Sequence, residues 1–272
     1  MATAAELNEK YPPYTFDFED GVLRVTRVDL QFDVGEVVKG ESLSNSERAF
    51  SETTSSSIKL RDLWREIADD TSVRVLICTA AGDVWEDPPS RTEPFPPGLF
   101  TSTLWEHILY QRRQSLQAFL DIPAPIISAV NGPATAHAEW ALLADIVVAS
   151  EAATFQDKVH YTQDLVPGDG VQAVWPALIG VNRARHFLLT GRTITAPEAL
   201  DLGLVAEVVP PDRLLPRAYE LADQLLRAST TTARLSVHVI RQELKERLLR
   251  DVNFGIALEG LDLVQKTHPS PG

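Results

Sequence analysis

The sequence predicts an α/β fold built on a parallel sheet, and three features carry that expectation. Short, largely apolar runs recur at Val73 to Thr79, Ile126 to Val130 and Asp145 to Ala149. Each is too short for a typical helix and reads as a buried strand. Between them lie stretches whose apolar residues repeat with helical spacing, such as Leu60, Leu63, Trp64 and Ile67. From Asp212 onward the pattern is almost entirely helical.

Taken in order, Gly21 to Val28 alternates apolar and polar residues and predicts a strand, while the polar, Ser- and Glu-rich Asp29 to Ser57 predicts a loop over the sheet. The Leu60 helix and the Val73 strand follow, giving strand, helix, strand. Ala80 to Gly98 is dense in prolines and acids, which excludes regular structure and suits a loop lining a pocket. Thr103 with Glu106 has the spacing of a capping box, and Leu104, Ile108, Leu116 and Phe119 continue that helix. Pro123 and Pro125 open the next strand, and Asn131, Gly132 and Pro133 stop it.

The residues Ala134 to Leu143 have room only for a short helix or turn before Asp145 to Ala149. His137 therefore falls where a strand hands over to a helix, the end of a parallel sheet at which ligands bind. After Phe155 the pattern is irregular until Val166, Pro167, Gly168, Asp169 and Gly170 make a tight turn into a helix over Val171 to Ile179, with Asp169 at a capping position. Arg183 to Thr190 is helical and ends at Gly191; Thr195, Pro197 and Glu198 start another helix that stops near Gly203, and Leu204 to Val209 is a short strand. Leu214 to Leu226, Ala233 to Leu249 and Phe254 to Val264 predict three closing helices.

The 272 residues can bury a substantial core, and no linker divides them. A formal charge of −13 argues against a nucleic-acid or anionic-membrane surface, which needs clustered Lys and Arg. The single cysteine, Cys78, lies in an apolar strand and reads as a core thiol in a reducing compartment. The N-terminus lacks a basic start followed by an apolar stretch, and no run approaches membrane-spanning length, so the expected location is cytoplasmic. Neither a G-x-S-x-G elbow, a phosphate-cradling glycine loop nor a short chelating repeat such as H-E-x-x-H occurs. Serine hydrolysis, nucleotide binding and a metal site are accordingly not expected.

The segments PIISAVNGPATAHAEWALLADIVVASEAATF, VPGDG and RARHFLLTGRTITAPEALDLGLVAEVV resemble the crotonase (enoyl-CoA hydratase/isomerase) superfamily over roughly Gly21 to Leu226. That resemblance implies a crotonase-like spiral of repeated ββα units over 1–211. It also implies a helical region over 212–272 that assembles homotrimers or dimers of trimers. Where hydratases carry a glycine triplet before their first catalytic glutamate, this chain has Ala134 to Glu139, and near the second it has His160. The pattern N-G-P-x-T-x-H-x-E, F-Q-D-x-x-H, V-P-G-D-G is similar instead to the β-diketone hydrolase subgroup that includes 6-oxocamphor hydrolase, which cleaves a carbon–carbon bond without coenzyme A or another cofactor.

In that subgroup the counterparts of His160 and Asp169 are the base and its orienting acid, the counterpart of His137 binds a substrate carbonyl, and the counterpart of Glu259 is an active-site acid. The subgroup's N-terminal tryptophan is missing. Its approximate counterpart is Phe50, and Trp85 is the nearest replacement; both read first as pocket walls. The backbone N–H groups after Gly82, near Trp85 and Glu86, and around His137 fall where the superfamily forms its oxyanion hole, and Glu139 is a further candidate for the site wall.

The chemistry suits these residues. Hydrolysis between two carbonyls needs water deprotonated, for which a neutral imidazole with a pKa near working pH is apt, and it needs an enolate oxygen stabilised, which a second imidazole can do by donating a hydrogen bond. The expected reaction is a retro-Claisen cleavage of a cyclic β-diketone to a keto acid. The alternatives are an acyl-CoA hydratase or isomerase using Glu139, and a non-catalytic subunit of the same fold. His107, His186, His238 and His268 have no partner pattern and read as structural.

Overall fold

The computed structural model describes residues 3–28 and 60–268; the expected loop over 29–57, with Phe50, lies outside them. A helix α1 (Ala4–Lys10) and a strand β1 (Tyr14–Glu19) precede the first predicted strand, β2 (Val22–Arg27). β1 and β2 form an antiparallel hairpin about Asp20 and Gly21, both at positive φ, the backbone that an Asp-Gly turn supplies. Then come α2 (60–69), β3 (Val75–Ala80), α3 (Ser102–Leu120), β4 (Ile126–Val130), α4 (Glu139–Leu142) and β5 (Ile146–Ser150). The chain continues through β6 (Thr154–Phe155), α5 (Val171–Ile179), α6 (Val181–Thr190), β7 (Ile194–Thr195), α7 (Ala196–Asp201), β8 (Glu207–Val209), α8 (Leu214–Leu225) and α9 (Thr230–Thr267).

The main sheet has the order β1-β2-β3-β4-β5-β8, parallel from β2 onward. The central strands β3 and β4 are apolar on both faces because both are covered. On one side Val22, Val75, Ile77, Ile127, Ala129 and Val148 pack against Leu214, Ala218, Leu221 and Ala222 of α8. The other side carries the larger core, into which α3, α5 and α9 also pack.

Two expectations are corrected. The start of α3 is capped by Thr101, whose Oγ1 accepts from the Leu104 amide at 3.1 Å, so Thr103 and Glu106 form no capping box. The last two predicted helices are one helix of 38 residues, α9. The sequence break near Gly255 is a close approach, not a helix stop: a Cβ there would lie 2.3 Å from the Gly168 carbonyl oxygen and 2.0 Å from Gln172 Nε2. Arg241 clamps α9 to the sheet through Asp145, with Nε to Oδ1 at 2.7 Å, and through the carbonyls of Ile122 (2.6 Å) and Ala124 (2.8 Å).

The ends of β3 and β4 are tied into one platform. Asn131 Nδ2 donates to the carbonyls of Ala80 (3.1 Å) and Gly82 (2.9 Å), and the loop after β3 bridges Glu86 to Ala134, which in turn bridges Phe155. Gly132 is required for that contact, since an added Cβ would sit 1.7 Å from the Asp83 carbonyl oxygen. Among the described residues no helix is long and apolar enough to cross a membrane.

Candidate active site

Above this platform lies a cavity of about 350 Å³. Its walls are largely aromatic, with Trp64, Trp85, Phe100, Trp105, Phe119 and Trp140 among them. A polar group closes it: His137 from the turn after β4, His160 and Asp169 from the irregular segment before α5, Arg112 from α3 and Glu259 from α9. Four separate segments thus converge, and His137 is held at φ +46°, a strained backbone for a side-chain-bearing residue.

Two imidazoles stand edge to face, with ring centroids 6.4 Å apart. His160 is 2% exposed, and its Nδ1 lies 2.6 Å from Asp157 Oδ1. Its Nε2 lies 3.6 Å from Asp169 Oδ1, an oxygen with no hydrogen-bond partner among the described residues. His137 Nδ1 is 3.0 Å from Asp169 Oδ2 and 3.5 Å from Glu139 Oε1, leaving Nε2 as its free nitrogen among the described residues. Glu259 is buried with Oε2 unpaired among the described residues.

The ionisation follows from this packing. Burial would lower the pKa of His160, but the charge of Asp169, together with the hydrogen bond and charge of Asp157, outweighs it and pushes the value up to about 9. Burial likewise opposes a charge on His137, and hydrogen bonds to Asp169 and Glu139 hold its pKa well above the ordinary value. Asp169 resists burial because Arg112 and both histidines surround it, which keeps it ionised. Glu259 is pushed up to about 8, by burial first and by the charge of Asp169 second, so it is a neutral acid at pH 7. Cys78 also faces the cavity, but burial pushes its thiol up to about 12 and leaves it a poor nucleophile.

A family model described as enoyl-CoA hydratase/isomerase matches residues 104–259, which span α3 to the acid on α9. The chain belongs to the enoyl-CoA hydratase/isomerase family. A putative enoyl-CoA hydratase/isomerase of Bacillus subtilis (strain 168) is 31% identical over 211 residues, 74% of this chain and 75% of that protein. Among solved structures, a β-diketone hydrolase from the cyanobacterium Anabaena sp. PCC 7120, bound to (S)-3-oxocyclohexyl acetic acid, is 32% identical with a TM-score of 0.79 over 96% of this chain and 97% of that chain. An enoyl-CoA hydratase/isomerase from Mycobacterium paratuberculosis shares the fold at 21% identity, with a TM-score of 0.73 over 94% of this chain and 95% of that chain. The crotonase-family architecture expected from the sequence is therefore the one observed.

Within this crotonase-family site the structure brings His137, His160, Asp169 and Glu259 to one cavity, with Trp85 in its wall. Three details differ from the sequence reading. The carboxylate on His160 Nδ1 belongs to Asp157, while Asp169 Oδ2 sits against His137. Asp169 does not cap α5: the N-cap is Gly170, whose amide donates to Gln172 Oε1 at 3.0 Å. The amides of Trp85 and Glu86 both donate to the Pro133 carbonyl, at 3.0 and 2.9 Å, so neither faces a substrate oxygen. Glu86 itself lies in the cavity wall, as does Arg27, with which its carboxylate pairs at 2.5 Å.

Glu139 is fully buried behind His137, bound by Arg112 at 2.9 Å, and is not among the residues that line the cavity. Asp157 and Arg112 escaped the sequence reading. Asp157 carried a signal, three residues before His160 in F-Q-D-x-x-H, whereas Arg112 sits in the polar face of a long helix and carried none. His137, Glu139 and Asp169 offer three atoms within 4.8 Å of one another, the type of set that can hold a metal ion, although no sequence repeat announced it.

Proposed function

We propose that this protein hydrolyses a carbon–carbon bond of a cyclic β-diketone by a retro-Claisen reaction. The carrying observation is the pair of imidazoles in one apolar cavity, one hydrogen-bonded through Nδ1 to a carboxylate and with its Nε2 turned to the oxygen of a second carboxylate that has no partner among the described residues. The β-diketone hydrolase from Anabaena, similar over nearly the whole chain, supports the same reading.

In this reaction a water seated between His160 Nε2 and Asp169 Oδ1 gives up a proton to neutral His160 as its oxygen bonds to one carbonyl carbon. Asp157 stabilises the imidazolium that forms. Such base catalysis is typically worth about 10² to 10⁴ in rate. The bond between that carbon and the α-carbon then breaks, and its electron pair becomes an enolate whose oxygen accepts from His137 Nε2–H. Loss of one such donor commonly costs roughly 3 to 4 kcal/mol of barrier. Glu259, protonated near neutral pH, delivers a proton to the α-carbon, giving one keto acid per water consumed, and the proton held by His160 then passes to the Glu259 carboxylate and restores both groups.

The name of the Bacillus relative points to acyl-CoA chemistry instead. Against that stands Glu139, the acid/base such a reaction would use, which is buried behind His137 and bound by Arg112. A panel of cyclic 1,3-diketones separates the readings: the expected result is loss of enolate absorbance and a product heavier by one water. Turnover of crotonyl-CoA without diketone turnover would replace this reading with a hydratase, and inactivity on both would favour a non-catalytic subunit. His160→Ala should abolish turnover with the fold intact, and His137→Ala should raise KM as well as lower kcat. Subunit association through α9 is part of the proposal, supported by its exposed Val239, Ile240, Phe254 and Leu261, and light scattering tests it.

A further inference from the structure

Arg112 has no part in the steps above, yet its guanidinium occupies the middle of the polar group. A single nitrogen, Nη2, lies 2.7 Å from Asp169 Oδ2, 2.9 Å from Glu139 Oε1 and 3.2 Å from His137 Nδ1. These residues are the same three whose ligand-type atoms cluster within 4.8 Å. Nη2 thus caps the triangle at the place a divalent cation would take. The guanidinium is held there from two further sides, by Nε to the Asp169 carbonyl at 3.4 Å and by the Trp140 ring, whose centroid is 5.4 Å from Cζ.

We propose that Arg112 is a positioning residue, a built-in cation that keeps metal out of the His137, Glu139 and Asp169 cluster and fixes which nitrogen of His137 meets the substrate. The donor count carries the second half. Nη2 has two hydrogens, and the two carboxylate oxygens are its nearer acceptors, so none remains for His137 Nδ1. Nδ1, 3.0 Å from Asp169 Oδ2, must then carry its own proton and donate it there. A flipped ring would set a carbon against Asp169 and lose that bond. His137 is therefore locked with Nδ1–H inward and Nε2 toward the cavity. The statement that Nε2 meets a diketone oxygen rests on the proposed function; the lock and the metal exclusion do not.

Cobalt(II) titration of the full-length protein near pH 7.5, followed by visible d–d absorption, tests the first half. Wild type and Arg112→Lys, which both keep a cation, should give no spectrum. Arg112→Met should bind one Co²⁺ per chain with a nitrogen- and oxygen-ligand spectrum that a second substitution, His137→Ala, removes. If Arg112→Met does not fold, Arg112→Gln, which keeps donors without charge, answers the same question. A folded charge-free variant that takes up no cobalt, or a wild type that takes it up at His137 equally well, overturns the proposal.

The second half needs no variant. Spectra of ¹⁵N-histidine-labelled wild type should show His137 protonated at Nδ1, and an unprotonated Nδ1 overturns the lock. Both readouts are independent of turnover, so failure of the diketone assay would refute the proposed function while leaving this inference standing.

Discussion

Replacing Asp157 by asparagine tests the ionisation on which the proposed chemistry depends. His160 has one carboxylate oxygen 2.6 Å from Nδ1 and another 3.6 Å from Nε2, and their pull against burial lifts its pKa from 6.5 to about 9. That gap amounts to roughly 3 kcal/mol, a tenfold change in proton affinity being about 1.4 kcal/mol. In free enzyme the neutral base is a minority below pH 9, so kcat/KM should climb from pH 7 toward 9 and show its acid limb near the upper value. Asparagine keeps an oxygen for Nδ1–H but removes the charge, so the limb should move down by about one pH unit while the alkaline plateau falls on the order of 10²-fold. Stability gives a second reading of the same group. A raised imidazole pKa stabilises the fold fully below pH 6.5 and loses that contribution as pH rises through about 9. Asp157→Asn should therefore lower the Tm clearly at pH 6 and hardly at pH 10. A wild-type acid limb near 6.5, or identical limbs in the two proteins, would refute the reasoning.

Three further outcomes are expected. Glu259, lifted from 4.5 to about 8 by burial and by Asp169, costs the fold stability once pH exceeds 4.5, so the Tm advantage of Glu259→Gln should widen up to pH 8 and then level; a pH-independent difference would contradict the assignment. Arg241→Ala should lower the urea-unfolding free energy by about 3 to 5 kcal/mol, because it strands the Asp145 carboxylate and the carbonyls that the guanidinium satisfies, and a loss under 1 kcal/mol would show the clamp to be dispensable. Gly132→Ala should cost about 3 kcal/mol or more, since the added carbon meets backbone at 1.7 Å, and differential scanning calorimetry reads the loss.

Much of this architecture was legible because burial writes itself into composition. The runs at Val73, Ile126 and Asp145 are strands covered on both faces, and such strands must be apolar throughout. The first hairpin is legible too, in the alternation of Tyr14, Phe16 and Phe18 before Asp20-Gly21. Local pattern misled at Gly255, where a residue that often ends a helix serves instead to let α9 touch the turn at Gly168.

By itself the sequence determined the parallel sheet and the turn that presents His137, because spacing and hydrophobicity are local properties, while His160, Asp169 and Glu259 were marked by the family resemblance. Only the tertiary structure decided which partner each group takes. Asp157 and Asp169 compete for two imidazoles, and Arg112 and Glu259 arrive from helices remote in the chain. Hydrogen-bond partners are chosen over distances of about 3 Å, and the ionisation that follows depends on burial and neighbouring charge, neither of which exists until the chain has folded.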